Sequence, residues 1–266
     1  MNLELITKQV TNISRSVGNF LRSEVRKVQF SDIENKGQNN FVTYVDKTAE
    51  ERLVEELRKV LPGAGFIAEE NSGLQKQDTY NWIIDPLDGT TNFIHKVPLY
   101  SISIALMEHD KVISGVVYEA NLQECFYAWL RGGAYLNGHR ISVSGATRLK
   151  DSLFATGFPY HDYGRLNEYL QLFKYLMQHS HGLRRLGTAA VDLAYTACGR
   201  FDGFYEYGLS PWDVAGGAIL VTEAGGKICD FSGTDDFIFG KEVMASNPGI
   251  FSEFLEVVKT HFPERL

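Results

Sequence analysis

The sequence predicts an α+β fold with a large antiparallel component. Residues 3–30 carry apolar positions at helical spacing and a second helix is predicted to end near Leu61, whereas residues 101–143 carry three apolar runs separated by short turns. Later residues alternate helical patterns with short strands. The chain has 266 residues, of which 44% are hydrophobic, and this is enough to bury a full core. We therefore expect one domain over 1–266, with an α+β part over about 1–145 and an α/β part over about 146–266.

Two helices are predicted in the N-terminal region. The first spans residues 3–30, where apolar side chains recur every three or four positions and define one buried face. Residues 31–42 are polar and contain glycine, which predicts a loop. The second helix is predicted to begin after Asp46, as its N-cap, and to end near Leu61 before Pro62-Gly63. The apolar positions of the first helix are Leu3, Ile6, Val10, Ile13, Val17 and Leu21.

Strands dominate the next part of the chain. Short strands are predicted at GFIAEE (65–70) and NWIID (81–85), and Asn137-Gly138 is a strong two-residue hairpin signal. Helices are predicted again where the 3.6-residue pattern returns. The long strands are SISIALM (101–107), KVISGVVY (111–118) and ECFYAWL (124–130), and the later helices lie near 165–179, 188–198, 212–224 and 250–261.

The composition argues against several classes of function. The formal charge is −7 and the pI is near 5.5, and basic residues form only doublets such as Arg184-Arg185, so we expect no nucleic-acid partner. No apolar run approaches the roughly 20 residues that span a bilayer, and the N-terminus lacks the pattern of a signal peptide. Three cysteines without a CxxC motif predict reduced thiols. These features predict a cytoplasmic protein without a membrane partner.

Carboxylates recur at the ends of predicted elements. Asp85 follows the apolar run Trp82-Ile83-Ile84, and Asp88 follows Pro86-Leu87. Proline fixes φ and removes a backbone donor, so the Leu87 carbonyl is expected to turn out of the sheet ladder. Two carboxylates and a carbonyl in one small volume are the hard oxygen ligands that suit Mg²⁺. Asp46, Glu69, Glu70 and Asp213 stand at other element ends, where any one alone would be typical of a solvated charge or a helix cap.

The segment after these aspartates predicts an anion site. Gly89 permits close approach of the backbone to a ligand, and GTTNF (89–93) can begin a helical turn whose N–H groups suit an anion. The Thr90 hydroxyl can orient water. Cations next to such N–H groups are typical of sites that hydrolyse phosphate esters. The cations would also offset the repulsion between a phosphate and a protein of charge −7.

Two segments resemble the signatures of the inositol monophosphatase family: WIIDPLDGTTNF (82–93) and WDVAGGAILVTEAGG (212–226). The resemblance extends in the same order through FVTYVDKTAE, FIAEE and HGLRRLGTAAVDLAYTACGRFDGFYE, and it covers about residues 36–247. It implies a layered αβαβα sandwich of the inositol monophosphatase and fructose-1,6-bisphosphatase type. It also implies a Mg²⁺-dependent, lithium-sensitive phosphatase that forms a homodimer.

The resemblance assigns metal and catalytic roles to individual residues. Asp85 would bridge two ions in a set of two or three Mg²⁺. Thr90 would hydrogen-bond the attacking water with Asp46 behind it, and Glu69 would complete the catalytic residues. One ion would be held by Glu69, Asp85 and the Leu87 carbonyl and a second by Asp85, Asp88 and Asp213, with Glu70 behind Glu69.

The resemblance also implies substrate contacts. The N–H groups of Gly89 and Thr90 would bind phosphate, and Lys36 would lie near the site. Ser210-Pro211 precede Trp212, where some family members carry a histidine and a cysteine, and this departure leaves selectivity for inositol open. The residues that would meet or line the inositol side are Asp88, Gly187, Thr188, Ala189 and Glu206.

The predicted function is hydrolysis of myo-inositol 1-phosphate to inositol and phosphate by metal-activated water. The same chemistry on fructose 1,6-bisphosphate, a 3′-phosphoadenosine nucleotide or another sugar phosphate is an alternative. A regulatory binding protein on this fold is a second, for which lost metal ligands or a basic surface would be expected. A glycosidase with a carboxylate pair is a third, and it would need no metal.

Overall fold

The computed structural model describes residues 1–37, 40–70, 74–159 and 162–263, and its elements stack in the order helix, sheet, helix, sheet, helix. This confirms the α+β class and the layered sandwich. Among the described residues, no helix is long and apolar enough to cross a membrane. The helices are α1 (Leu3–Glu24), α2 (Tyr44–Val60), α3 (Thr90–Ile94), α4 (Leu166–His179), α5 (Ala189–Ala197), α6 (Pro211–Glu223) and α7 (Phe251–His261).

The larger sheet has seven strands, β3 to β9, which lie side by side in chain order. Only β3 and β4 are parallel, and every later pair is antiparallel. Helices α1 and α2 cover one face, and α5 and α6 cover the other. A separate hairpin joins β1 (Glu34–Gly37) to β2 (Asn40–Val42). The strands of the larger sheet are β3 (Gly65–Ala68), β4 (Tyr80–Asp88), β5 (Ser101–Glu108), β6 (Lys111–Glu119), β7 (Glu124–Trp129), β8 (Gly133–Leu136) and β9 (His139–Ile141).

The second sheet has five strands in the order β11-β10-β12-β14-β13. Side chains alternate between its two faces, so that Phe204 packs with α5 and α6 whereas Tyr205 packs with α4 and α7. Helices α5 and α6 therefore form the central layer between the sheets. The strands are β10 (Leu153–Thr156), β11 (Gly182–Arg184), β12 (Gly203–Tyr207), β13 (Lys227–Cys229) and β14 (Glu242–Ser246).

Three predicted element boundaries are wrong. Helix α1 ends at Glu24 rather than residue 30, since its apolar periodicity stops at Leu21. The predicted loop at 31–42 contains the β1–β2 hairpin, whose pairing rests on backbone groups and leaves no apolar pattern. The N-cap of α2 is Thr43, not Asp46: Asp46 lies in the first turn and its carboxylate accepts hydrogen bonds from the Thr43 N–H and hydroxyl.

The remaining helices and long strands agree with the prediction to within a few residues. The Asn137-Gly138 hairpin is confirmed, because both residues adopt positive φ, at 49° and 90°, and Leu136 pairs directly with His139. Strand β4 runs on to Asp88 instead of ending at Asp85. Its pairing with β5 shifts register between these two aspartates, and this irregularity places the candidate site.

Candidate active site

A polar cleft of about 300 Å³ opens where the end of β4 meets the beginnings of α5 and α6. Nearly all of the residues predicted to contact a substrate line it. The cleft lining includes Glu69, Asp88, Gly89, Thr90, Gly187, Thr188, Ala189, Glu206 and Asp213 from the prediction, and Thr91, Gly157, Phe158, Arg185, Asp192, Tyr207 and Trp212 beyond it.

The irregular end of β4 places Asp88 in the cleft lining, with Asp85 and Leu87 buried directly behind it. The Leu87 N–H donates to Asp85 Oδ1 at 2.9 Å, and ladder pairing with β5 resumes at Asp88. The Leu87 carbonyl instead accepts from the Thr90 hydroxyl at 2.9 Å. It has therefore left the ladder at the Asp-Pro-Leu-Asp turn, as the position of Pro86 predicts.

Three carboxylates converge although they are far apart in the chain. Ligand oxygens of Asp85, Asp88 and Asp213 lie within 4.8 Å of one another. Asp213 is in the first turn of α6, where it accepts from the Ser210 N–H at 2.7 Å. Glu69 follows β3, the parallel neighbour of β4, so it reaches the same sheet edge. We call Glu69, Asp85, Asp88 and Asp213 the first carboxylate group.

Burial raises the pKa of every member of this group, and repulsion from other members adds to the rise for Glu69, Asp85 and Asp213. Burial, followed by the charge of Glu69, raises the pKa of Asp85 well above its ordinary value. Burial, followed by Asp213, does the same to the pKa of Glu69. The pKa of Asp88 is raised to about 6 by burial, and that of Asp213 to about 7 by burial and then by Asp88. A divalent cation would relieve this repulsion, since it supplies the opposite charge.

Thr90 and Asp46 lie together beside this group. The Thr90 hydroxyl is 3.2 Å from Asp46 Oδ1. Asp46 is buried, and its other oxygen accepts from the Thr43 N–H and hydroxyl at 2.8 and 2.7 Å. Burial raises the pKa of Asp46, and the hydrogen bonds from Thr43 and Thr90 oppose that rise. Asp46, which does not cap α2, thus lies within hydrogen-bonding distance of Thr90.

Gly89 controls the entry to α3. It adopts φ of 89° at the N-cap position, and no side chain caps this helix. A Cβ at Gly89 would approach the Gly187 carbonyl to 3.2 Å, so any larger residue would combine strain with crowding. Gly89, Thr90 and Thr91 line the cleft together with Asp88, so the beginning of α3, whose first N–H groups lack partners within the helix, lies at the cleft and suits an anion.

Asp88 is fixed by the beginning of α5. Its Oδ2 accepts from the Ala190 N–H at 2.9 Å and from the Thr188 hydroxyl. Thr188 lies 3.0 Å from the Ser101 hydroxyl, which extends the network to β5. The predicted residues Gly187, Thr188 and Ala189 are thereby brought to the first carboxylate group.

The opposite side of the cleft holds two further buried carboxylates, Asp192 on α5 and Glu206 on β12, which we call the second carboxylate group. Within the described ranges, no residue donates a hydrogen bond to either one. Burial raises both pKa values well above the ordinary range. Glu206 lies against Gly157, where any Cβ would collide with its carboxylate.

The sequence prediction missed Asp192, Arg185 and Phe158. The Arg185 guanidinium lies over the Phe158 ring at 4.9 Å, and its charge lowers the pKa values of Asp88, Asp192 and Glu206. One signal could have identified Asp192: it is the only charged residue in the apolar helix AAVDLAYTA.

The resemblance places Lys36 and Glu70 near the site. Lys36 belongs to β1 by its backbone, but its side chain lies outside the described residues. Glu70 follows Glu69, and its N–H donates to a Glu50 carboxylate oxygen at 2.8 Å. This contact fixes the backbone next to Glu69.

Comparison with known proteins gives a consistent result. Residues 2–261 match the model of the inositol monophosphatase family. The chain is 40% identical to Nus factor SuhB of Pseudomonas aeruginosa over 95% of both chains, and 40% identical to inositol-1-monophosphatase of Mesorhizobium japonicum over 91% of both. The crystal structure of the extragenic suppressor protein SuhB from Bartonella henselae has a TM-score of 0.90 with 36% identity, covering 97% of this chain and 100% of that one.

Proposed function

The chain belongs to the inositol monophosphatase family, and from this premise we propose that it is a Mg²⁺-dependent phosphomonoesterase that hydrolyses myo-inositol 1-phosphate to inositol and phosphate. The observation that carries the proposal is the convergence of Asp85, Asp88 and Asp213 within 4.8 Å, beside the uncapped beginning of α3. Carboxylates next to backbone N–H groups combine a cation site with an anion site, which is what phosphate ester hydrolysis requires.

The donor set fits Mg²⁺. Among the described residues the cluster contains carboxylates and no histidine or cysteine, and a backbone carbonyl is adjacent. In our assignment Glu69, Asp85 and the Leu87 carbonyl would hold one ion. Asp85, Asp88 and Asp213 would hold another, with Asp85 common to both sites, and the full set would be two or three ions. When bound, Mg²⁺ supplies a Lewis acid for the phosphate and lowers the pKa of water in the site.

Thr90 is proposed to aim the attacking water. Its single hydroxyl proton lies within reach of both the Leu87 carbonyl and Asp46 Oδ1; with the Leu87 carbonyl engaged by an ion, the proton would go to Asp46, and the hydroxyl oxygen could accept a hydrogen bond from water. Asp46 is an effective anchor because its other oxygen is fixed by two bonds from Thr43. We propose Glu69 as the third catalytic residue, beside Thr90 and Asp46. The N–H groups of Gly89 and Thr90 would hold the phosphate in line with that water.

The alcohol is proposed to occupy the cleft between Ala189 and Glu206. Asp88 would face it from the first carboxylate group and Glu206 from the second, with Gly187 and Thr188 lining one side. Carboxylates accept hydrogen bonds from hydroxyl groups, which favours a polyol over an apolar alcohol. Lys36 would approach the phosphate from the β1–β2 hairpin.

A panel of phosphate esters tests the proposal. Purified protein with Mg²⁺ should release phosphate from myo-inositol 1-phosphate faster than from fructose 1,6-bisphosphate or 3′-phosphoadenosine 5′-phosphate, and excess EDTA should abolish the release. Full activity in EDTA would reject the metal assignment. Preference for either competitor would keep the chemistry and replace the substrate. Inhibition by Li⁺, with restoration by added Mg²⁺, tests the predicted lithium sensitivity.

We also propose that the chain acts as a Nus factor, because the P. aeruginosa relative, which is 40% identical, is named a Nus factor. The metal ligands are retained, so this role would accompany hydrolysis rather than replace it. The wild-type chain and its Asp85→Asn variant should both replace SuhB in a P. aeruginosa strain that lacks it. Failure of both would remove this role, and failure of the variant alone would make it depend on catalysis.

A reducing cytoplasm and a homodimer complete the proposal. The three cysteines are free, and Cys125 and Cys229 are buried, which supports a reducing compartment. The homodimer derives from the family resemblance. Light scattering of the purified chain would measure its mass directly, and a monomer at micromolar concentration would reject the dimer.

A further inference from the structure

Asp192 is a buried carboxylate that receives no hydrogen bond from the residues that the structure describes. It is 1% exposed, in an otherwise apolar stretch of α5, and it lines the cleft. Its Oδ1 has no hydrogen-bond partner within the described part of the chain. A buried polar group without a hydrogen-bond partner lowers the stability of the folded state. Unless a ligand supplies the partner, an apolar side chain would be more stable at that position.

We propose that Asp192 is a second specificity-determining residue, which accepts a hydrogen bond from a substrate hydroxyl next to the one bound by Glu206. The inference rests on the proposed phosphatase function and narrows its substrate class. The substrate would be a monophosphate of a polyol whose alcohol part carries at least two hydroxyl groups within reach of the second carboxylate group.

The charges on this side of the cleft support a neutral, hydroxyl-rich group. Asp192 and Glu206 interact repulsively with each other and with Asp88, and Arg185 is the cation that offsets them. With Asp213, which also raises the pKa of Glu206, the carboxylates around this region outnumber the one guanidinium among the described residues, so a second phosphate there would be repelled. Hydroxyl groups donate without adding charge. This argues against bisphosphates and aryl phosphates as the preferred substrates.

A purely structural role is the competing explanation. In that case Asp192 would only balance the charge of Arg185. Replacing Asp192 would then lower stability and affect all substrates alike. A ligand-binding role predicts the opposite on both counts, because removing an unpartnered buried carboxylate relieves a cost while the lost acceptor is felt only by hydroxylated substrates.

Two variants and a control separate these explanations. Asp192→Leu removes both acceptor oxygens and keeps the branching of the side chain, although the two methyl groups are larger; Asp192→Asn keeps the volume and one acceptor oxygen. Thr196→Val, one turn along α5, is the control, since the Thr196 hydroxyl bonds only the Asp192 carbonyl and lies outside the cleft lining. The measurements are kcat/KM for myo-inositol 1-phosphate and for p-nitrophenyl phosphate, together with the melting temperature.

We expect Asp192→Leu to lower the ratio of the two kcat/KM values about tenfold or more, the range of a lost charge-assisted hydrogen bond. Asp192→Asn should fall between Leu and wild type. The melting temperature of Asp192→Leu should rise by about 2–4 °C, whereas Thr196→Val should keep the wild-type ratio. A ratio within twofold of wild type in Asp192→Leu overturns the proposal, and a lowered melting temperature together with that ratio identifies a structural role.

Binding of myo-inositol tests the inference without turnover. Saturation-transfer NMR should show weaker binding to Asp192→Leu than to wild type, and equal binding overturns the inference. If the wild-type protein hydrolyses neither ester with Mg²⁺, the proposed function fails, yet this binding comparison still decides the role of Asp192.

Discussion

The first carboxylate group receives hydrogen bonds from the protein, whereas the second receives none from the described residues. Asp85 accepts from Leu87, Asp88 from Ala190 and Thr188, and Asp213 from Ser210. Asp192 and Glu206 are more deeply buried than Asp88 and Asp213, but among the described residues they have no such donors. The two groups face each other across one cleft. Both consist of carboxylates, but only those of the first group accept hydrogen bonds from the described residues.

This difference shows what each group is prepared to bind. A small cation requires oxygens in fixed positions, and N–H donors fix a carboxylate without neutralising it. A polyol brings its own donors, and protein donors at Asp192 and Glu206 would compete with them. The hydrogen-bond donors therefore lie at the first group, where the oxygens must hold fixed positions. Without such donors, the oxygens of the second group stay available to the hydroxyl groups of the alcohol. The substitutions below break one group or the other.

Asp85→Asn should have the largest effect, a fall in kcat of about 10³-fold, since the bridging charge is lost at nearly constant volume. The fold should persist, because the Leu87 N–H can still donate to the amide oxygen. Phosphate release and circular dichroism measure the two effects. Asp202→Asn is the control, a carboxylate that accepts from Ser144 and Leu153 outside the cleft lining. A variant that keeps more than a tenth of the wild-type rate would contradict the bridging role of Asp85.

Thr90→Ala should lower kcat about 10²-fold, because the attacking water loses its orientation. KM and Mg²⁺ affinity should change little, since phosphate binding is assigned to backbone N–H groups and cation binding to carboxylates. Thr90→Ser keeps the hydroxyl and should recover most of the rate. Steady-state kinetics and thermal melts of both variants measure this. A normal kcat with a lowered melting temperature would show instead that Thr90 only supports the turn.

Glu206→Gln should act on the substrate rather than on the chemistry. A charge-assisted hydrogen bond contributes about 1.5–3 kcal/mol, so kcat/KM for myo-inositol 1-phosphate should fall about tenfold or more relative to p-nitrophenyl phosphate. Combining Glu206→Gln with Asp192→Leu sharpens the comparison, since the paired effects should not be additive if both residues bind one alcohol. An equal loss on both substrates would make Glu206 structural.

Mg²⁺ should raise the melting temperature, and by more at pH 8 than at pH 5. Without the ion, folded Asp88 and Asp213 have pKa values of about 6 and 7 against an ordinary value of 3.8, so the folded state holds protons more tightly. Their contribution to stability is present below about pH 4 and is lost as pH rises toward 7. Saturating Mg²⁺ offsets the repulsion and should add about 5–10 °C at pH 8.

Differential scanning fluorimetry in Mg²⁺ and in EDTA at both pH values measures this effect. Asp213→Asn is the matched variant, since it removes a group whose pKa is raised to about 7 and should flatten the pH dependence in EDTA. An equal Mg²⁺ shift at pH 5 and pH 8 would mean that the first carboxylate group is not where the ion stabilises the fold.

Local chemistry let the sequence determine a large part of this protein. The Asp-Pro-Leu-Asp turn, the Gly89 entry to α3 and the Asn137-Gly138 hairpin follow from residues adjacent in the chain, and each lies where predicted. Long periodic segments gave most helices and strands within a few residues. The family resemblance supplied the layer order and the site residues, which the periodicity did not contain.

Only the tertiary structure decided which distant groups meet. Thr188 and Asp88 are 100 residues apart, yet the hydroxyl of one bonds the carboxylate of the other. Asp192 drew no attention in the sequence, because periodicity identifies a buried helix face but not what faces it. The proposed role of Asp192 depends on two tertiary features: β12 places Glu206 beside it, and no described residue donates a hydrogen bond to it. Burial and the lack of a partner are properties of the packed structure, and a linear pattern cannot express them.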